Sequence, residues 1–121
     1  MATTQHSNCV QDVPRAERIA RLNDALRTKG TGGQVVITRG VYALTGPDVT
    51  ELMQIIAAYS EFDADNDPHG ERDFGMCDFR EREIMWKVDY YDSSDLLFGS
   101  NDPADPDVTR RVLTVMLAEE Y

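Results

Sequence analysis

Phe74-Gly75-Met76-Cys77-Asp78-Phe79-Arg80-Glu81-Arg82-Glu83-Ile84-Met85-Trp86-Lys87-Val88-Asp89-Tyr90-Tyr91 decides how this chain folds. Phe74, Met76 and Asp78 alternate with Gly75, Cys77 and Phe79. After Arg80-Glu81-Arg82, Ile84, Trp86, Val88 and Tyr90 alternate with Met85, Lys87, Asp89 and Tyr91. A period of two with one apolar face is the signature of strands half-buried against a core. The stretch therefore reads as a β-hairpin turning at Arg80-Glu81-Arg82, with Trp86 inside beside Ile84 and Val88.

Upstream, helical signals take over. Asp12 caps and Pro14 opens a helix, because proline in the first turn loses no hydrogen bond. Ala16, Ile19, Leu22 and Leu26 form its apolar stripe, and Lys29-Gly30 ends it with a cation and a left-handed stop. Gln34-Val35-Val36-Ile37-Thr38 is a β-branched apolar run and is expected to be a central, buried strand. Thr45-Gly46-Pro47-Asp48 starts a helix of about 14 residues, with Val49, Leu52, Met53, Ile56 and Tyr59 on one face. Residues 61–73 and 92–107 read as loops. Asp105-Pro106-Asp107 reads as the start of a last helix whose stripe is Val108, Val112, Val115 and Met116. The expected fold is α+β in α-β-α-β-β-α order: a small, mainly antiparallel sheet of about three strands, with helices on one face. Residues 1–11 are expected to be a flexible tail and 12–121 a single domain; 121 residues suffice for one core.

Composition narrows the function. The net charge is −10, and residues 51–121 hold six basic and 18 acidic residues, a net of −12. Such a chain is not expected to bind nucleic acid directly, since phosphate contacts need a basic surface. No apolar run approaches the roughly 18 residues of a membrane span. Met1–His6 has no apolar leader core. With Cys9 and Cys77 too few for a disulfide framework, a cytoplasmic protein is expected, without membrane partners.

Phe62-Asp63-Ala64-Asp65-Asn66-Asp67-Pro68-His69-Gly70-Glu71-Arg72-Asp73 resembles the opening of a calcium loop. It then departs from it: the sixth position is Pro68 where glycine is needed, and the twelfth is Phe74 where glutamate is needed. The favoured reading is a loop in which Asp and Asn side chains cap backbone N–H groups; a non-standard cation site on Asp63, Asp65 and Asp67 ranks below it. His69 beside Asp67 or Glu71 has the chemistry of a general base, though a turn histidine is usually a surface residue. Zinc lacks paired ligands. Cys77 sits against Asp78, which disfavours the thiolate. Ser93, Ser94 and Ser100 lack a nucleophile-elbow context. Arg110 and Arg111 are candidates to pair with Asp107 or the acidic loop. Tyr91, on the outer face of the hairpin, can anchor a partner. No catalytic residue and no cofactor is expected.

Several segments in order carry a likeness to a family. They are Arg21-Leu22-Asn23-Asp24-Ala25-Leu26-Arg27, Gly40, Asp65-Asn66-Asp67-Pro68-His69-Gly70-Glu71, Asp73-Phe74-Gly75, Trp86-Lys87-Val88-Asp89-Tyr90-Tyr91-Asp92, Asp102-Pro103-Ala104-Asp105-Pro106 and Leu117-Ala118-Glu119-Glu120-Tyr121. Over residues 13–121 the chain resembles a small bacterial family catalogued as domain of unknown function 3768. The family's setting on plasmids and integrative elements, beside anti-restriction genes, implies a role in establishing mobile DNA in a host. The resemblance supplies no catalytic residues.

Together these give a leading expectation: an acidic, non-enzymatic interaction protein of a mobile genetic element. It would blunt a host defence such as restriction or a CRISPR effector by occupying a basic nucleic-acid-binding site. Its partner would be a basic protein surface of a nucleic-acid-processing defence complex, with the chain itself monomeric or dimeric. The residues expected to carry it are Asp63, Asp65, Asp67, Glu71, Asp73, Tyr91 and Asp92, with Asp102 and Asp105 as outer contributors. Two alternatives stand beside it: a divalent-cation hydrolase using the acidic loop and His69, and a structural or regulatory dimer built on the exposed hairpin strand.

Overall fold

The computed structural model describes residues 13–121; the expected tail, the cap at Asp12, His6 and Cys9 lie outside them. The elements run α1 (Arg15–Lys29), β1 (Gly33–Ile37), α2 (Arg39–Thr45), α3 (Thr50–Ala58), β2 (Phe74–Phe79), β3 (Arg82–Asp92), β4 (Thr109–Leu117) and a 3₁₀ turn, Ala118–Glu120. The fold is α+β, with four strands in the order β1-β4-β3-β2. β3 is antiparallel to both β2 and β4, and β1 runs parallel to β4.

The hairpin is where the alternation puts it. Arg80 and Glu81 form its two-residue turn with φ of 51° and 63°, the left-handed pair that matches the twist of the flanking strands. Register then builds the core. Gly75, Trp86 and Val115 lie side by side across β2, β3 and β4, next to Cys77, Ile84 and Leu117. Leu26 of α1, Val41 of α2, and Leu52 and Ile56 of α3 pack into the same cluster with Trp86, Val88, Leu113 and Val115. All three helices thus cover one face of the sheet, which buries their apolar stripes against it.

Three expectations need correcting. The last element is a strand, not a helix. Thr109, Arg111, Leu113, Val115 and Leu117 are buried on its helix-facing side, with Met116 buried on the other; the inward period of two is disguised by the polar Thr109 and Arg111, while Val108, Val112, Val115 and Met116 happen to fall at helical spacing. This fourth strand displaces β1 from the centre to an edge, where Val35 and Val36 are 38% and 37% exposed. Arg39–Thr45 forms a helix of its own, so that α3 is nine residues long. The start of α2 is fixed by its own Thr38 cap and by Glu120, far along the chain. Thr38 Oγ1 accepts from Val41 N and donates to Glu120 Oε1 at 2.6 Å, while Gly40 N and Leu117 N donate to the same carboxylate. A Cβ on Gly40 would stand 2.7 Å from that carboxylate.

Helix α1 starts later than expected, with Pro14 as the extended residue before it rather than in its first turn, and ends as expected at a left-handed Gly30 at φ 70°. Trp86 is fully buried, and Tyr59 and Phe62 meet it edge-on at 5.6 and 6.1 Å. Its indole lies over Gly75, where a Cβ would fall 2.6 Å from Nε1, Cε2 and Cζ2. A rigid ring boxed in by neighbours cannot retreat. Gly75→Ala is therefore expected to cost about 1–3 kcal/mol through overpacking, read as a lower urea midpoint with an unchanged slope.

Candidate functional site

Strand polarity brings the two acidic loops together. β2 enters the sheet where β3 leaves it and β4 begins: Asp73 O accepts from Val88 N at 2.8 Å, and Asp92 lies opposite Thr109. Loop 61–73 and loop 93–108 therefore share one end of the sheet, and the N-terminal half of α1 reaches both.

A buried polar network holds that end. Asn23 and Arg111 are 0% and 1% exposed. Arg111 Nε donates to Asn23 Oδ1 at 2.9 Å, and its Nη2 donates to the Pro103 carbonyl of the second loop. Asn23 Nδ2 in turn donates to the Glu71 carbonyl at 3.0 Å and to Tyr90 Oη at 2.8 Å. Tyr90 Oη donates to Glu71 Oε1 at 2.9 Å, and its ring lies under the Arg111 guanidinium at 5.2 Å. Burial pushes the Tyr90 phenol well above its ordinary pKa and lowers that of Arg111. Arg111 thus links α1, β4 and the second loop; among the described residues neither it nor Arg110 forms the expected ion pair with Asp107 or with a carboxylate of the acidic loop.

The first loop closes by side-chain caps, as expected. Asp63 Oδ1 accepts from Asp65 N and Asn66 N, both at 2.9 Å, and Asp67 Oδ1 accepts from Glu71 N and Arg72 N, both at 3.1 Å. Arg72, at φ 52°, turns back to α1 and bridges Glu17 and Asp24, and its guanidinium holds the Glu17 carboxyl below its usual range. Asp65 and His69 are exposed at the turns. The second loop follows the same logic. Asp92 Oδ1 accepts from Ser94 Oγ and Ser94 N, and these bonds, the hydroxyl's first, keep its pKa below the usual value. Asp95 Oδ1 caps Leu97 N and Asp105 Oδ1 caps Asp107 N.

The residues proposed from sequence thus divide. Asp63, Asp65, Asp67 and Asp73 lie in one loop; Asp102 and Asp105 lie in the other, which Asp92 enters. Among the described residues, Asp102 is bound to Arg15 at 3.0 Å. Glu71 faces inward to Tyr90. Tyr91 sits on the sheet face away from the helices, opposite Arg110, and bridges to Gly99. Among the described residues no group of three or more His, Cys, Asp or Glu could hold a metal ion, and no helix is long and apolar enough to cross a membrane. Cys77 is half-buried, and burial, with Asp78 adding to it, raises its thiol pKa. The sequence pattern missed the Asn23–Tyr90–Arg111 network; the visible signal was a lone Asn on the apolar side of α1.

A family model described as Protein of unknown function (DUF3768) matches residues 37–120. The chain belongs to this family. No curated protein and no solved structure matches it. The DUF3768 match takes in α2, α3, β2–β4 and both acidic loops.

Arg111 supplies donors that nothing else nearby can replace. Arg111→Met is expected to cost about 2–4 kcal/mol, since it orphans buried acceptors, and to speed amide hydrogen exchange around residues 102–105. Asp73 gives a pH signature. Burial first, then Glu71 and Asp67, raise its pKa above 3.8. The folded chain then holds this proton more tightly than the unfolded chain, so its contribution falls as pH rises through the interval above 3.8. Asp73→Asn is expected to be more stable than the parent at neutral pH, with the gap closing on acidification, as read from paired urea midpoints.

Proposed function

We propose that this chain is a non-enzymatic interaction protein whose acidic end occupies the cationic nucleic-acid-binding surface of another protein. The observation that carries the reading is the meeting of two anionic loops at one end of the sheet. Residues 61–73 hold six carboxylates against one arginine, and residues 92–108 hold five with no lysine or arginine. Asp63, Asp92, Asp95 and Asp105 each accept backbone N–H groups. Those bonds fix the anions in place without removing their charge. Fixed anions on ordered loops can compete with phosphates for lysine and arginine, and such competition weakens with salt.

Beside the plasmid and integrative-element setting that the family resemblance implies, the partner we propose is a nucleic-acid-handling component of host defence in the cytoplasm. The hydrolase alternative gains no support, because Asp63 and Asp67 are turned onto their own backbone.

The test is affinity capture from host lysate at low and high salt, followed by DNA-binding assays on what is captured. Asp65→Asn, Asp95→Asn and Asp105→Asn together remove charge while keeping the capping oxygens at positions 95 and 105. At about 0.5 kcal/mol for each exposed contact, the triple variant should bind about tenfold more weakly. The captured protein should lose DNA in the presence of the parent chain. Affinity that is flat across salt, or DNA binding that is untouched, sinks the proposal.

A further inference from the structure

The second acidic loop carries something its charge does not explain. Leu96, Leu97 and Phe98 are 51%, 90% and 65% exposed. Val108, whose carbonyl accepts from Ser93 N at 3.1 Å, is 41% exposed on the loop's return limb. Scattered exposed apolar residues are ordinary, but three large ones in succession at a turn form a patch, and patches mark contact sites.

The turn that displays them is built. Asp95 Oδ1 accepts from Leu97 N at 3.1 Å, and Phe98 N donates to Asp95 O at 3.1 Å. Phe98 O accepts from Asp92 N at 2.8 Å, and Ser100 N donates to Tyr90 O at 3.0 Å. The Gly99–Tyr91 bridge ties the exit to β3. An anchor already ordered before contact loses little entropy on binding.

Charge defines what can receive it. Asp92 and Asp95 precede the apolar tip and Asp105 and Asp107 follow it, Asp102 between them being paired with Arg15. An apolar centre with a polar rim is the anatomy of a binding hot spot. A rim of this sign repels anionic bilayer surfaces. We infer that Leu96-Leu97-Phe98 is the anchor of the docking end and seats in an apolar pocket on the partner protein, rimmed by lysine and arginine. This rests on the docking reading above and adds the apolar half of the contact to it.

Two labelled peptides with equal numbers of lysines test it: an oligolysine, and an amphipathic helix with leucines along one face. Fluorescence anisotropy is read for the parent, for Leu97→Ser/Phe98→Ser, and for Asp65→Asn/Asp95→Asn/Asp105→Asn. The parent is expected to bind the amphipathic peptide at least about tenfold more tightly than the oligolysine. Leu97→Ser/Phe98→Ser should abolish that preference and leave oligolysine binding unchanged, with the same circular dichroism spectrum. Equal affinity of the parent for both peptides, or a preference that survives the double change, overturns the anchor while leaving the acidic docking intact. No binding of either peptide, or binding indifferent to the aspartate changes, overturns both. Two further readouts assign the tip elsewhere. One is self-association in sedimentation that Leu97→Ser/Phe98→Ser abolishes, pointing to a second copy that receives the tip in the apolar groove of about 460 Å³ between α1, α3 and β1. The other is tip-dependent binding to phosphatidylcholine vesicles. Either result overturns the inference.

Discussion

Two guanidinium groups sit inside this protein, and their need for acceptors organises what surrounds them. Arg27 and Arg111 are 6% and 1% exposed. A buried guanidinium is costly without acceptors, so hydrogen-bonding groups gather around each of them. Arg27 Nη1 and Nη2 meet Asp24 at 3.0 Å and the carbonyls of Ile56, Ala57 and Tyr59 at 2.9 to 3.2 Å, while its Nε is buried without a hydrogen-bond partner. A cation at the carbonyl end of α3 also suits the helix dipole. Its charge lies 5.3 Å from the centre of the Trp86 ring. Arg111 meets Asn23 and Pro103. The first arginine fixes α3 against α1; the second fixes the two loops against α1 and the sheet.

This arrangement explains what the sequence could and could not tell. The β2–β3 hairpin was legible because Ile84, Trp86 and Val88 are apolar where the strand faces inward, and α1 was legible because its apolar stripe is bounded by proline and glycine. β4 was not, because two of its five inward positions, Thr109 and Arg111, are polar, so the binary pattern failed where the polar network lies. Losing β4 also misplaced β1: a β-branched run reads as buried when the strand that would push it to the edge is missing. Helix α2 was hidden because its start depends on Glu120, 80 residues away from Gly40, a contact no local window contains. The acidic loops were the reverse case. Asp63, Asp67, Asp92 and Asp95 close turns over two to five residues, so their structural work was visible locally. That both loops meet at one end was not, since it follows from strand order.

The same accounting bears on the charge. A net of −10 works against compactness through self-repulsion. Part of the repulsion is met by arginines reaching across elements, Arg15 to Asp102 and Arg72 to Glu17 and Asp24. Part is met by backbone N–H groups at the caps. The two solutions differ in what they leave outside. An ion pair removes the field of both partners, whereas a capped aspartate keeps its own. Both solutions occur at the end that holds the two acidic loops: Arg15 pairs Asp102, while Asp63, Asp92, Asp95 and Asp105 are capped and unpaired by arginine, and the apolar tip stands among them.

Helix α1 connects these threads. The family match begins at Ile37, yet Arg15, Glu17, Asn23 and Asp24, all upstream of it, hold Asp102, Arg72, Glu71 and Tyr90 in place. Without α1, Arg111 would lose its Asn23 acceptor and Arg72 both of its carboxylates, which leaves charges with no compensation where they now have it. The acidic loops are thus supported from beneath by residues outside the matched segment. Whatever loosens α1 releases Glu71 and Pro103 together, because one arginine and one asparagine join them. The geometry of the acidic end is set by helix packing as much as by the loops that form its surface.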